Sequence, residues 1–347
     1  MSEWIIELVT FLLQILVVVA LIGIGVMMVM RAKEGADKSF TLRIDTLNDQ
    51  RRHRRRQLKM AAIAPSQRKT LVKAFRRDDK KQEKSSSKKS EDSVGPRVWV
   101  LDFHGDIRAS ATEHFAEEIS AIIDVADTSD EVVVRLESGG GLVHAYGLAA
   151  AQIDRLRDAG LATTVCIDKV AASGGYLMAC SAAHIKAAPF AVIGSIGVVA
   201  QIPNIHRLLK RHDIDVEHLT AGKYKRTLTV LGENTDEGRE KFIDDLENTH
   251  RLFKAYVAER RPEMDIESLA TGEIWYGSEA LDCKLIDSVQ TSEAYLFERM
   301  QEANVLRVTL EPPQTLSRKL GMAVSHGIEQ AGIKTLGVLE ASRWYKQ

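Results

Sequence analysis

Along this 347-residue chain the apolar positions fall into three regimes. The first is a continuous run: residues 8–30 are 23 positions without a charge, rich in Leu, Val, Ile and Met. Wound as a helix, the run reaches roughly 35 Å, enough for a bilayer core of about 30 Å. Glu3 and Glu7 precede it, where a cleaved signal peptide carries basic residues, and the run exceeds the apolar core of such a peptide. The pattern predicts an uncleaved transmembrane anchor at 1–30. In the second regime, 31–96, apolar residues thin out, and 80–92 (KKQEKSSSKKSED) has none at all. A segment with nothing to bury does not repay its ordering entropy, so 31–96 reads as a basic flexible linker.

The third regime starts at 97. Short β-branched runs at 98–103, 132–137 and 163–168 alternate with amphipathic stretches at 110–125 and 142–158, and a helix starts at about Gly174. Strands alternating with helices imply crossover connections and a mainly parallel sheet covered on both faces, an α/β fold with function at the carboxyl ends of strands. A second uncharged run, 187–202, is 16 residues long and holds Pro189, Gly194 and Gly197. It is too short and too interrupted to span a membrane and reads as buried strand and turn. Farther on, 204–212 and 235–260 read as helices, the latter with the acidic start and basic end that the helix dipole favours. Strands are expected at 216–220 and 305–310. An amphipathic helix at 316–345 would pack on the domain or on a neighbouring subunit. The segments are thus 1–30, 31–96, 97–304 and 305–347.

Charge sharpens this division. The formal net charge is −1, yet 31–96 holds 20 basic against 9 acidic residues and 97–347 holds 27 against 37. Arg31, Lys33, Lys38 and Arg43 directly follow the apolar run, and Arg51, Arg52, Arg54, Arg55 and Arg56 come soon after. The positive-inside rule assigns that flank to the cytoplasm. The same residues suit anionic lipid, whereas the lack of interleaved aromatics speaks against nucleic acid. Three cysteines, none in a CxxC pair, supply neither a disulfide framework nor a zinc site.

Two glycine-rich turns end strands. Ser138-Gly139-Gly140-Gly141 follows 132–137, and consecutive glycines there let bare N–H groups face a ligand. No phosphate-loop or dinucleotide fingerprint accompanies them, so no nucleotide cofactor is implied. Ala171-Ala172-Ser173-Gly174-Gly175 follows 163–168; small residues around a serine at a strand-to-helix turn resemble a nucleophile elbow. The bland alternative is a serine that caps the helix. Together the turns offer a nucleophile and two sources of oxyanion donors, which points to acyl transfer.

A serine needs a base. His184 and His206 have no evident carboxylate to orient them and read as structural or surface residues. A lysine held neutral by burial is the other option, and the turn Ala221-Gly222-Lys223-Tyr224-Lys225-Arg226 offers two. On chemistry alone Lys223 and Lys225 are equivalent.

The motifs ESGGG (137–141), VAASGGY (170–176), IGSIGV (193–198), AGKYKR (221–226) and IWYGSEALDCKLID (274–287) resemble the signal peptide peptidase A family of membrane-anchored serine proteases, peptidase family S49, in order over about 97–300. The resemblance implies a Clp-protease/crotonase-like fold and a Ser–Lys dyad, with no metal or cofactor. Carried over, Ser173 is the nucleophile, Lys225 the general base and acid, and Ser195 the residue that orients Lys225. Lys223 falls on a variable position. Gly174 with Gly140 or Gly141 would form the oxyanion hole. Gly139 stands where many members have Pro, which leaves open the choice between Gly140 and Gly141. The shorter members assemble as homo-oligomeric rings, sometimes with Ser and Lys from adjacent protomers. The implied substrates are signal peptides and small or unfolded polypeptides at the bacterial plasma membrane. The resemblance favours the periplasmic face, and the charge flank favours the cytoplasmic one. A crotonase-like acyl-CoA enzyme and a catalytically silent membrane scaffold are the competing readings.

Overall fold

A computed structural model describes residues 40–86 and 95–312, together with Leu13, Leu16, Val17, Val18 and Leu21. Ile44–Thr309 falls in one compact unit; of the described residues outside it, Arg43 donates to Glu311 Oε1 at 2.9 Å. Those five positions aside, the expected anchor lies outside the described residues, as does the expected helix at 316–345. Among the described residues no helix is long and apolar enough to cross a membrane.

In chain order the elements are β1 (Thr41–Thr46), α1 (Leu47–Ala62), α2 (Arg68–Ser86), β2 (Arg97–Gly105), α3 (Thr112–Ile123), β3 (Glu131–Ser138), α4 (Val143–Asp158), β4 (Ala162–Ile167), β5 (Val170–Ala172), α5 (Gly174–Ala179), β6 (His184–Ala187) and β7 (Val192–Gly194). There follow α6 (His206–Arg211), α7 (Asp236–Arg260), α8 (Ile266–Leu269), β8 (Ile274–Tyr276), α9 (Gly277–Asp282), β9 (Ser288–Val289), α10 (Ser292–Glu302) and β10 (Asn304–Glu311). The sheet order is β1-β10-β2-β3-β4-β6-β9, with β5 branching from β3 to β7 and β8 beyond. β2 is parallel to β3 and β10, β3 to β4 and β5, and β5 to β7. Only the short β7–β8 pair is antiparallel among the pairings that surround the glycine turns. The expected α/β class and mainly parallel sheet are therefore met.

Alternation along β2 divides the core. Trp99, Leu101 and Phe103 face α3 and α4 in the main cluster with Phe115, Ile119, Tyr146 and Ile153. Val98 and Val100 face the opposite way, toward Leu296 of α10 and Val305 of β10. This is the period of two that puts successive strand residues on opposite faces. On that second face the buried Glu131 accepts from Thr164 Oγ1 at 2.7 Å, Tyr295 Oη at 2.5 Å and Arg299 Nε at 2.8 Å. These bonds satisfy its charge and seat α10 on the sheet.

The structure departs from the flexible-linker expectation over 41–86, which carry β1, α1 and α2. Apolar burial alone does not explain this, since α1 buries no residue completely and it is Leu47, at its start, that packs on the second face of the core. Distant hydrogen bonds supply the rest: Asn48 donates to Met300 O and Ala303 O at 3.1 Å and accepts from Val305 N at 2.8 Å. Arg51 stacks on the Phe297 ring, and Arg56 pairs with Asp79 to join α1 to α2. The expected boundary at 304/305 falls at the start of β10, which lies beside β2 in the same sheet, and the compact unit runs on to Thr309. The expected strand at 216–220 is irregular chain, with Leu219 91% exposed. A strand without a partner has no ladder to hold it.

Candidate active site

β3 and β5 run side by side, with Ser138 in register with Ala171. The two glycine turns therefore leave the same end of the sheet as neighbours, as their shared position after parallel strands predicts. Gly140 adopts φ 86°, a conformation few residues but glycine hold. A Cβ there would lie 2.7 Å from both Ser173 Cβ and Gly174 N. The backbone of one turn thus rests directly on the serine of the other.

Ser173 itself has φ 53° and ψ −121°, a strained geometry for a residue with a side chain. Such strain costs of order 1–3 kcal/mol and persists only where surrounding structure imposes it. Here the Ser173 N–H is held by Gly194 O at 2.7 Å, and Ser173 O accepts from Leu177 N at 3.0 Å. The serine stands at the N-cap of α5, but its side chain makes no cap hydrogen bond. The capping alternative is therefore not realised, and Oγ is left available. The glycines that follow have packing reasons: a Cβ on Gly174 would overlap the Tyr146 ring, and one on Gly175 would meet Ser138 O at 2.5 Å.

The N–H groups around Ser173 divide cleanly. Gly140 N donates to Ser138 Oγ at 3.1 Å, and Leu142 N donates to Ile107 O at 2.8 Å. Among the described residues the N–H groups of Gly141 and Gly174 have no partner. An oxyanion set on these two needs no rearrangement, whereas one that uses Gly140 must first draw its N–H from Ser138.

Ser195 comes to the same place. Ala172 is in register with Gly194, so Ser173 and Ser195 are the next residues on adjacent parallel strands, and both have positive φ, 53° and 52°. The Ser195 N–H donates to Glu273 O at 2.6 Å, leaving its hydroxyl free of partners among the described residues.

Lys225 is not brought to Ser173. It lies exposed in the irregular stretch after Gly222, and neither its Nζ nor Ser173 Oγ has a hydrogen-bond partner among the described residues. Lys223, its equal on chemistry, is separated from it by structure. The Glu237 carboxylate at 2.6 Å, with the neighbouring Tyr224, holds its ammonium protonated well above the ordinary lysine range. His184 starts β6 with an exposed side chain and His206 starts α6; neither joins the serine.

A cavity of about 200 Å³ opens beside Ser173. Val143, Tyr146 and Leu177 form one side, and Thr249, Leu252, Phe253 and Tyr256 of α7 form the other. Sequence reading passed over the α7 residues. Their spacing at 249, 252, 253 and 256 is an ordinary amphipathic stripe, so the one available signal looks the same as core packing. Two buried thiols take no part: burial pushes both Cys166 and Cys180 up to about 12. Among the described residues no cluster of His, Cys, Asp and Glu has the makings of a metal site.

Residues 3–153 match the family model described as Peptidase family S49 N-terminal, and residues 155–306 match that of Peptidase family S49. The chain is 49% identical over 324 residues to the Probable protease SohB of Haemophilus influenzae, covering 92% of this chain and 90% of that one. It is 46% identical over 274 residues to the Probable protease SohB of Buchnera aphidicola subsp. Schlechtendalia chinensis, covering 77% and 90%. Among solved structures it matches a lysine-to-alanine mutant of the 1510-N membrane-bound stomatin-specific protease in complex with a substrate peptide. That match has a TM-score of 0.39 and 14% identity, and covers 67% of this chain and all of the other.

Proposed function

The chain belongs to peptidase family S49, and from that premise we propose that it is a membrane-anchored serine endopeptidase acting through a Ser173–Lys225 dyad. The observation that carries the reading is the strained Ser173, with its hydroxyl unspent, beside two unpartnered N–H groups and an apolar cavity. Ser173 Oγ attacks the peptide carbonyl, and the carbonyl oxygen takes its charge onto the N–H groups of Gly174 and of Gly141 or Gly140. Lys225, as the neutral amine, accepts the Ser173 proton and returns it to the leaving amine; water then resolves the acyl-enzyme. Ser195, one strand over from Ser173, orients the lysine.

For Lys225 to act as a base it must leave water and reach Ser173. A second copy of the chain supplies that closure in this reading, forming a homo-oligomeric ring. In support, Leu219, two residues before the lysine turn, and Val199, four residues after Ser195, are uncovered apolar side chains at 91% and 90% exposure. Substrates are signal peptides and small or unfolded polypeptides that present an apolar side chain to the cavity. Residues 8–30 hold the enzyme in the bacterial plasma membrane, with the basic residues after them on lipid headgroups and the catalytic unit on the periplasmic face.

The test is cleavage of a model signal peptide and of unfolded casein by the full-length protein in detergent. Ser173→Ala and Lys225→Ala should each abolish turnover, and Lys223→Ala should retain it. Turnover by Ser173→Ala equal to that of wild type would remove the nucleophile and bring the acyl-CoA and scaffold readings forward.

A further inference from the structure

The Gly140 N–H is committed before any substrate arrives. It donates to Ser138 Oγ at 3.1 Å, Ser138 Oγ lies 2.5 Å from Tyr146 Oη, and Tyr146 Oη lies 2.7 Å from Asp106 O. A carbonyl can only accept, so the phenol donates to Asp106 O and the serine hydroxyl donates to the phenol. Every proton in the chain then has one direction. Ser138 is 2% exposed and Tyr146 fully buried, so water does not compete for these groups. Burial also raises the Tyr146 phenol above its ordinary range, although the Ser138 bond opposes this, and so keeps it a donor.

The surroundings are shaped around this chain. A Cβ on Gly105 would overlap both Ser138 Oγ and Tyr146 Oη. A Cβ on Gly174 would overlap the ring of the same tyrosine. Tyr146 therefore touches the residue that follows the nucleophile and, through Ser138, holds the turn that rests on it. The turn needs such a hold, because three successive glycines have wide conformational freedom. Gly139 gains nothing from packing, since a Cβ there would meet no atom within 4 Å.

From this arrangement, and resting on the serine-protease reading above, we infer that Ser138 and Tyr146 are positioning residues for the oxyanion hole. They pin the turn at 139–141 so that the Gly141 N–H, between the held amides of Gly140 and Leu142, stays free to act with that of Gly174. Oxyanion donors stabilise a transition state to the extent that they are oriented beforehand. Loosening the turn therefore acts on the chemical step and spares substrate binding in the cavity.

The experiment compares full-length wild type with Ser138→Ala and Tyr146→Phe in detergent. It uses a fluorogenic peptide for kcat and KM, and a peptide boronate whose tetrahedral adduct on the serine mimics the transition state. The expected result is a kcat reduced about 10–100-fold in Ser138→Ala with KM within about threefold of wild type. Boronate affinity should fall in parallel with kcat/KM, and Tyr146→Phe should show a smaller effect of the same pattern. Thermal unfolding reports whether each variant is folded; if Ser138→Ala is not, Tyr146→Phe decides. Folded variants within twofold of the wild-type kcat would overturn the inference, as would a raised KM with kcat unchanged or lost activity with boronate affinity intact. A wild type that neither cleaves the peptide nor binds the boronate overturns the serine-protease reading itself, and this inference with it.

Discussion

Truncating Asp154 to alanine should unseat the helix that walls the cavity. Asp154, on α4, accepts from Tyr256 Oη at 2.8 Å and from Arg260 at 2.7 Å through Nη2 and 3.3 Å through Nε. The Arg260 side chain is 8% exposed and that of Asp154 18%. In Asp154→Ala the guanidinium stays buried on the Tyr256 ring, left with the neutral Tyr256 carbonyl at 3.3 Å and, for its charge, Glu259 at 3.3 Å, whose side chain is 74% exposed. Breaking a buried pair from one side costs about 3–5 kcal/mol. The partial access of water to Asp154 and the remaining Glu259 place this case near the lower end, at about 3 kcal/mol. For a unit of this size each kcal/mol is worth about 2–4 °C, so Tm should fall by about 6–12 °C. Tyr256 and Arg260 share α7 with Leu252 and Phe253, so peptide turnover should fall as well. The assay is thermal unfolding followed by circular dichroism on the full-length protein, with Asp154→Ala/Arg260→Met as its partner. The double variant removes the orphaned charge and should recover most of the loss. A single variant within about 2 °C of wild type, or a double variant no better than the single, would refute the reasoning.

Further outcomes follow from single sites. Burial opposes ionisation of Asp287, but hydrogen bonds from Arg261 and the Ile185 N–H outweigh it and hold its pKa below the usual range. A carboxylate depressed in the folded state contributes stability above its unfolded pKa and loses it as pH falls through the folded value. Wild-type Tm should therefore drop below about pH 4, while Asp287→Asn, less stable at neutral pH, should lose less over the same melts. Gly105→Ala drives a methyl group into Ser138 Oγ and Tyr146 Oη; overpacking of this kind costs about 1–3 kcal/mol, and kcat should fall with it. Of the three cysteines only Cys283 is partly exposed. The native protein should take up one maleimide by mass spectrometry and the unfolded protein three, with no loss of turnover on native labelling.

The residues that make the candidate nucleophile were legible because their chemistry is local. Small residues around Ser173 at the end of a β-branched run announce a tight strand-to-helix turn, and the glycines at 139–141 announce bare backbone. Periodicity likewise marked β2, β3, β4 and the long α7, whose N-cap Thr235 accepts from Gly238 N at 3.1 Å. Alternation of strands and helices was enough for the parallel sheet, since only crossover connections join such elements.

What the chain alone could not show depends on partners far apart in sequence. Residues 41–86 look like a solvated tether because charged residues outnumber the scattered apolar ones, yet Asn48 finds its three backbone partners about 250 positions away. Lys223 and Lys225 are alike as residues and differ only because Glu237 reaches one of them. The α7 stripe became a cavity wall only when tertiary packing carried it to Ser173. The sequence by itself determined which residues are candidates for the chemistry and most of the elements that present them, since both follow from local sterics and period. The tertiary structure decided which N–H groups remain free, which lysine is tied, and what encloses the serine, because long-range register and hydrogen bonding set those relations.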